Sequence, residues 1–195
     1  MTMKQLILKM ARDLRADFWG TLGRWQDQRP IWLLGGGIAL GLEIFSWAYF
    51  QNYLKLNPCE LCVYIRFSMV VIFVGAAFAA IRPANVFFKL VGYAVVIWGM
   101  AKGLAWDMTL AADYIKVAEN PWSALCSGAA ATYPLGLPLA EWLPGHFAPM
   151  ADCGEDGWSL FGWNMAQWLY LVYGAFLIGI LSLLTGWIVS LIRRK

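Results

Sequence analysis

Four long apolar stretches, separated by polar segments, dominate the pattern of this chain. They cover about residues 31–50, 63–81, 86–106 and 168–192. A helix needs about 20 apolar residues to cross the hydrocarbon core of a bilayer, so each stretch predicts one membrane-spanning helix. The expected fold is all-α: residues 1–195 form a single membrane domain built on a four-helix transmembrane bundle.

The composition favours a membrane protein over a soluble domain. Hydrophobic residues make up 61% of the chain and charged residues only 14%, whereas soluble domains are about 25% charged. The 12 Trp, 8 Tyr and 11 Phe are typical of aromatic belts at the two membrane interfaces. The formal charge is only +3, and we expect membrane lipid rather than nucleic acid as a partner.

The distribution of basic residues predicts the orientation, because Lys and Arg accumulate in short cytoplasmic segments. They precede the first span, fill the turn after the second and follow the fourth: Lys4, Lys9, Arg12, Arg15, Arg24, Arg29, Arg82, Arg193, Arg194 and Lys195. Both termini are therefore expected in the cytoplasm. The long loop, about residues 107–167, then lies on the opposite side of the membrane. All four cysteines, two of them in this loop, are expected on that side.

The opening segment, residues 1–30, has an amphipathic pattern. Leu6, Ile7, Met10 and Leu14 recur at helical spacing, with basic residues on the other side. This pattern predicts a helix lying on the cytoplasmic leaflet. The alternative is a disordered basic tail that only sets the orientation.

Two cysteines form a C-x-x-C pair, Cys59 and Cys62, at the mouth of the second span. Asn57 is expected to cap this helix, with Pro58 at the first helical position and Glu60 three residues after the cap. The arrangement is close to a capping box. Cys59 would then lie in the first turn, where free N–H groups and the helix dipole favour a thiolate.

Arg66 follows Cys62 by four residues and Cys59 by seven. This spacing predicts that the three side chains share one helix face. A cation there can stabilise a thiolate or an oxygen of a reduced quinone, and a charge inside a span is functional by default. The alternative is an arginine that extends to the lipid phosphates.

Cys126 and Cys153 lie in the long loop, which is rich in Pro, Gly and Trp and is expected to be largely irregular, with a short surface helix within 137–144. Four cysteines allow three pairings, and local geometry favours Cys59–Cys62, which leaves Cys126–Cys153. An exposed loop disulfide exchanges readily. Alternatively, this disulfide is structural and contributes about 3–4 kcal/mol to the stability of the fold.

We expect no metal site among the four cysteines, because an oxidising compartment favours disulfides over zinc thiolates.

Two further polar residues receive no assigned role from the sequence. Glu43 is a second charge inside a span, and it either faces the bundle interior or pairs with a backbone or hydroxyl donor. His146 is the only histidine, and a lone loop histidine is more often a polar surface residue than a catalyst.

The chain resembles the disulfide bond formation protein B (DsbB) family of bacterial inner-membrane thiol oxidoreductases. The resemblance lies in Pro58-Cys-Glu-Leu-Cys-Val-Tyr-Ile-Arg66, Glu141-Trp-Leu-Pro144, Asp152-Cys153, Trp158-Ser-Leu-Phe-Gly162 and Met165-Ala-Gln-Trp168. Ile65 stands where the family often has an acid, and no histidine occurs late in the third span. These departures and the long basic N-terminal segment are more similar to the DsbI-type paralogues.

The resemblance implies a function as well as a fold. It implies that Cys126 and Cys153 accept electrons from a periplasmic thioredoxin-like (DsbA-like) thiol oxidase, which for a DsbI-type paralogue is a dedicated DsbL-type partner. By the same resemblance, Cys126 is expected to be the sulfur attacked. It also implies that Cys59, Cys62 and Arg66 pass the electrons to ubiquinone or menaquinone. Two alternatives are a quinone-linked reductase that uses another donor and a non-enzymatic membrane scaffold with structural disulfides.

Overall fold

The computed structural model describes Arg12 and residues 15–120, 131–151 and 158–193. Seven helices lie within these ranges: α1 (Phe18–Trp25), α2 (Arg29–Phe45), α3 (Glu60–Ile81), α4 (Val86–Glu119), α5 (Leu139–Trp142), α6 (Pro144–Phe147) and α7 (Met165–Ile192). A π-helical segment, Ser46–Tyr53, extends α2, a 3₁₀ turn spans Pro134–Gly136, and a two-stranded antiparallel hairpin joins β1 (Ser159–Leu160) to β2 (Trp163–Asn164).

Four of these elements are long and apolar enough to cross a membrane: Arg29–Tyr53, Glu60–Ile81, Val86–Glu119 and Met165–Ile192. The predicted all-α membrane fold is therefore confirmed. Helix α3 is central and packs between α2 and α4, while α7 packs against α4 and α1.

Helix α4 is longer than the predicted third span. Its 34 residues measure about 51 Å along the axis, against about 30 Å for a hydrocarbon core. The expectation of an irregular chain from residue 107 onward is wrong for 107–119. This stretch contains no Gly or Pro, and its Asp107, Leu110 and Asp113 are buried against the bundle, which keeps it helical.

Close packing between α3 and α4 depends on small residues. A Cβ added to Gly92 would lie 2.5 Å from the Cβ of Ala79, and one added to Gly103 would lie 2.2 Å from the hydroxyl of Tyr173. That hydroxyl is 2.6 Å from the Oγ of Ser68, which joins α7 to α3 inside the bundle. Helices approach this closely in lipid because packing and buried hydrogen bonds, rather than hydrophobic burial, hold them together.

The end of the bundle where α1 lies and α7 finishes is joined by polar contacts. Helix α1 packs along α7, and the Asp17 side chain caps α1 and lies 2.7 Å from Nη1 of Arg193. The Gly20 N–H and the Arg193 guanidinium hold the pKa of Asp17 below its ordinary value. Lys89 pairs with Asp27. The apolar residues on which the N-terminal amphipathic prediction rested, Leu6, Ile7, Met10 and Leu14, lie outside the described residues.

The long loop returns to the bundle through short elements. Helix α5 confirms the short helix expected within 137–144, and α6 follows it directly. After the hairpin, Asn164 and Gln167 form a capping box that starts α7. These elements bring the described parts of the loop onto the end of the bundle where α3 begins.

Candidate functional site

Cys59 and Cys62 are joined by a disulfide at the start of α3. Of the three pairings that four cysteines allow, the structure therefore contains the one that local geometry favoured. Cys126 and Cys153 lie outside the described residues.

The helix start differs from the prediction. Cys59, not Asn57, is the N-cap of α3, and Glu60 is the first helical residue rather than the third. Cys59 keeps an extended backbone, with φ −76° and ψ 173°, and its sulfur accepts a hydrogen bond from the N–H of Cys62 at 3.2 Å. The sulfur thus takes the place of the Asn57 oxygen, and the predicted capping box is absent.

This local geometry gives the two sulfurs different surroundings. The Cys59 sulfur receives a backbone N–H at the positive end of the helix dipole, an environment that favours a thiolate on opening of the disulfide. Cys62 lies within the first turn, one helical turn from Arg66. The predicted shared face is present, since Cys59, Cys62 and Arg66 all line one cavity.

Arg66 is buried, with 5% of its surface exposed. Its Nη1 donates hydrogen bonds to Oε1 of Gln51 at 2.6 Å and to the backbone oxygen of His146 at 3.2 Å. An arginine held in this way faces the protein interior. The geometry therefore disfavours the alternative of a lipid-facing arginine.

The cavity beside these residues has a volume of about 670 Å³ and is mainly apolar. Its walls come from α2, the π-helical segment, α3, α4, the hairpin region and α7. Cavities of about 300–1,000 Å³ with a few polar groups are typical of small-molecule sites. Its lining is apolar apart from a few polar or charged groups, among them Ser46, Lys55, Asn57 and Arg66, and a space of this kind fits a quinone ring. Within the described residues, no cluster of three metal-ligating side chains occurs.

Sequence reasoning missed a pair that lies behind Arg66. Oε1 of Glu43, on α2, is 2.6 Å from Nε2 of His146, on α6. Glu43 is 3% exposed and the His146 side chain 25% exposed, so His146 is not the polar surface residue that was expected. The charge of Glu43 inside a span was a signal, but nothing in the sequence connected it to a histidine about a hundred positions later.

The loop also contacts the start of α3 directly. The N–H of Met150 donates to the backbone oxygen of Pro58 at 2.8 Å, and Ala151 forms a parallel bridge with Cys59. Tyr133 donates from its hydroxyl to the backbone oxygen of Phe147 at 2.6 Å, and burial raises the pKa of Tyr133, which keeps this donor protonated. The loop is thus held beside Cys59 at Ala151, which precedes Cys153 by two residues.

A disulfide at the mouth of a four-helix membrane bundle, beside a loop that carries two more cysteines, is the arrangement of an integral membrane protein-disulfide oxidoreductase. The family model for disulfide bond formation protein DsbB matches residues 28–183, and the chain belongs to that family.

Curated relatives agree with this assignment. The putative protein-disulfide oxidoreductase DsbI of Shewanella oneidensis is 35% identical over 97% of this chain and 95% of its own. The protein-disulfide oxidoreductase DsbI of Salmonella typhimurium is 37% identical over 94% of this chain and 96% of its own. A putative DsbI of Campylobacter fetus is 33% identical over 95% of this chain and its own full length. The predicted DsbI-type resemblance is confirmed.

Proposed function

We propose that this protein reoxidises a periplasmic thioredoxin-like dithiol oxidase and passes the electrons to a membrane quinone. The observation that carries the proposal is the cavity of about 670 Å³ lined by Cys59, Cys62 and Arg66. It joins a disulfide and a buried cation in an apolar space of the size that a small ligand needs.

The first steps are thiol–disulfide exchange. Two thiols of the partner reduce the Cys126–Cys153 disulfide, with Cys126 as the sulfur attacked, and the partner leaves with a new disulfide. A thiolate of the loop pair then attacks the Cys59–Cys62 disulfide, which restores Cys126–Cys153 and leaves Cys59 and Cys62 reduced. The bridge between Ala151 and Cys59 supports this step, because Cys153 follows by two residues, a reach of about 7 Å at most.

The final step restores the Cys59–Cys62 disulfide. A quinone bound in this cavity, beside Cys62 and Arg66, would take up the two electrons and two protons that the two thiols lose. Within the chain, the N–H of Cys62 stabilises negative charge on the Cys59 sulfur, and Arg66 supplies a positive charge next to the cavity. Thioredoxin-like oxidases of this kind are themselves strong oxidants, with reduction potentials of about −120 mV. Most disulfides cannot take electrons from them favourably, so the quinone must supply the driving force.

The proposal includes a place in the cell. We place the protein in the bacterial inner membrane. The clustering of basic residues supports an orientation with both termini in the cytoplasm and all four cysteines in the periplasm. The DsbI-type resemblance of the chain makes a dedicated, DsbL-type oxidase the proposed partner. Residues 1–195 would then act as one membrane domain, with ubiquinone or menaquinone drawn from the same bilayer.

The test is anaerobic mixing of the purified protein with a reduced thioredoxin-like oxidase and a short-chain quinone, with quinone absorbance followed over time. We expect quinone reduction that requires both the partner and the Cys59–Cys62 pair. A membrane scaffold with structural disulfides would leave the quinone oxidised, and that result would overturn the proposal. A Cys59→Ser/Cys62→Ser protein is the matched control.

A further inference from the structure

Glu43 is a buried carboxylate in the middle of a membrane-crossing element. It lies on α2, 3% exposed, with Oε1 2.6 Å from Nε2 of His146. A charged side chain at such a position is costly and persists in proteins mainly where a partner or a function requires it. His146 arrives from the loop, and its ring packs against the rings of Trp47 and Phe147.

The pair connects α2 to α6. Oε1 of Glu43 contacts the side chain of His146, and the backbone oxygen of the same residue accepts the hydrogen bond from Arg66 at 3.2 Å. The preceding residue, Gly145, accepts a hydrogen bond from Nε2 of Gln51 at 2.8 Å. Gln51 in turn accepts from Arg66 through Oε1 at 2.6 Å. Two of the groups that hold the guanidinium thus depend on where the loop is docked.

Neither Glu43 nor His146 lines the cavity, whereas Arg66 does. The two residues therefore act on the site through the arginine and not on a bound molecule. Loss of the pair would release α6 and remove the carbonyl at 3.2 Å from the guanidinium. Gln51, which would lose its own contact with the backbone oxygen of Gly145, would then be the remaining partner of the guanidinium among the contacts described above.

We propose that Glu43 and His146 are positioning residues that dock α6 on the bundle and thereby orient Arg66 toward quinone in the cavity. This inference rests on the proposed function, since it assigns the pair to the quinone site. It gives the loop a role at the membrane end of the electron path, in addition to carrying the cysteines that face the partner.

The test uses the full-length protein in detergent, with dithiothreitol as reductant and a short-chain ubiquinone as acceptor. The variants are Glu43→Gln, His146→Asn and the double variant, with Glu119→Gln as a matched control. Glu119 carries an exposed carboxylate at the end of α4, so it undergoes the same chemical change away from the site. Steady-state KM for quinone and kcat are measured separately.

We expect each single variant to raise the quinone KM by about tenfold while kcat changes less than about twofold. The double variant should raise KM no further than the single variants do, because both residues act through one contact. Glu119→Gln should keep the parent KM. Either single variant decides the question if the other cannot be purified in folded form, and the near-isosteric Glu43→Gln is the milder change.

A purely structural role predicts a different pattern. If Glu43→Gln and His146→Asn lower thermal stability but keep the parent quinone KM, the positioning role is wrong. Arg66→Met separates this failure from failure of the proposed function. A raised KM in Arg66→Met with unchanged KM in the pair variants overturns only the inference, whereas unchanged KM in Arg66→Met removes the quinone site itself.

Discussion

At the scale of the residue, the contacts of Arg66 are the strongest indication of where a ligand would bind. Arg66 is buried in a membrane-crossing helix, and its contacts come from two other parts of the chain, Gln51 and the backbone of His146. A buried guanidinium with such contacts is oriented, and an oriented cation can stabilise charge that develops during a reaction without a further rearrangement.

Replacement of Arg66 by Met should weaken quinone reduction. Met removes the charge and keeps much of the length, so we expect a quinone KM raised by about tenfold or more, a weaker Cys62 thiolate and an intact fold. Lys should rescue only in part, because an ammonium lacks the planar fork of a guanidinium. Steady-state quinone reduction and a thiol titration of Cys62 measure the two effects. Unchanged quinone kinetics in Arg66→Met would contradict the proposed site.

The alignment of Cys59, Cys62 and Arg66 could be predicted from the sequence because it follows from the period of one helix. The pair of Glu43 and His146 could not be predicted, since it joins two elements that are far apart in the chain and no local pattern relates them.

The N-cap of α3 was also mispredicted. Asn57 has the stronger capping preference, but a disulfide between Cys59 and Cys62 and the hydrogen bond to the Cys59 sulfur fix the start of α3 two residues later.

At the scale of the element, the hydropathy of the sequence predicts where the membrane-crossing helices lie but does not predict where they end. Backbone polar groups in lipid must be satisfied within the segment, which makes a long apolar run almost certain to be helical. The end of α4 depends instead on burial of Asp107, Leu110 and Asp113 against neighbouring parts of the protein. Such tertiary contacts leave no mark in the apolar pattern of the sequence.

Packing of α3 on α4 should respond sharply to a single methyl group. Gly92→Ala would place a Cβ 2.5 Å from that of Ala79, and we expect the free energy of unfolding to fall by about 1–3 kcal/mol. Unfolding in detergent, followed by circular dichroism, measures the change. Gly37→Ala on α2 is the control, because a Cβ there meets nothing within 4 Å. Equal stability of the two variants would show that α3 and α4 pack less closely than described.

The two cysteine pairs, one in the loop and one at a helix start, should have separable roles. Cys126→Ser should abolish oxidation of the thioredoxin-like partner, while reduction of quinone by dithiothreitol through Cys59–Cys62 continues. Cys62→Ser should abolish both reactions. Parallel assays with the partner and with dithiothreitol measure the difference. If the Cys126→Ser protein oxidises its partner at the parent rate, electrons do not pass through the loop pair.

At the scale of the whole molecule, the bundle has two unlike ends. At one end α1 docks on α7 and the Lys89–Asp27 and Arg193–Asp17 pairs occur, and at the other the disulfide, the cavity and the loop come together. Of the described basic residues, Arg24, Arg29, Arg82 and Arg193 lie at the first end. This asymmetry supports an orientation in which the first end faces the cytoplasm.

Reporter fusions should reveal this orientation. A phosphatase fused after Trp122 should be active, because we expect that position in the periplasm, and one fused after Lys195 should be inactive. A fusion after Pro83, in the turn between α3 and α4, is the control and should match the one after Lys195. The same compartment for the Trp122 and Lys195 fusions would be incompatible with the four-span topology.

Where the loop meets the two residues that precede α3, the contact is made by main-chain atoms, those of Met150 with Pro58 and of Ala151 with Cys59. Main-chain hydrogen bonds are the same whatever side chains the residues carry. Side chains at these positions can therefore differ between family members while Ala151 stays beside Cys59. We expect a chimaera that carries the loop of another family member, but keeps Tyr133 and His146, to accept the new partner and to keep its own quinone preference.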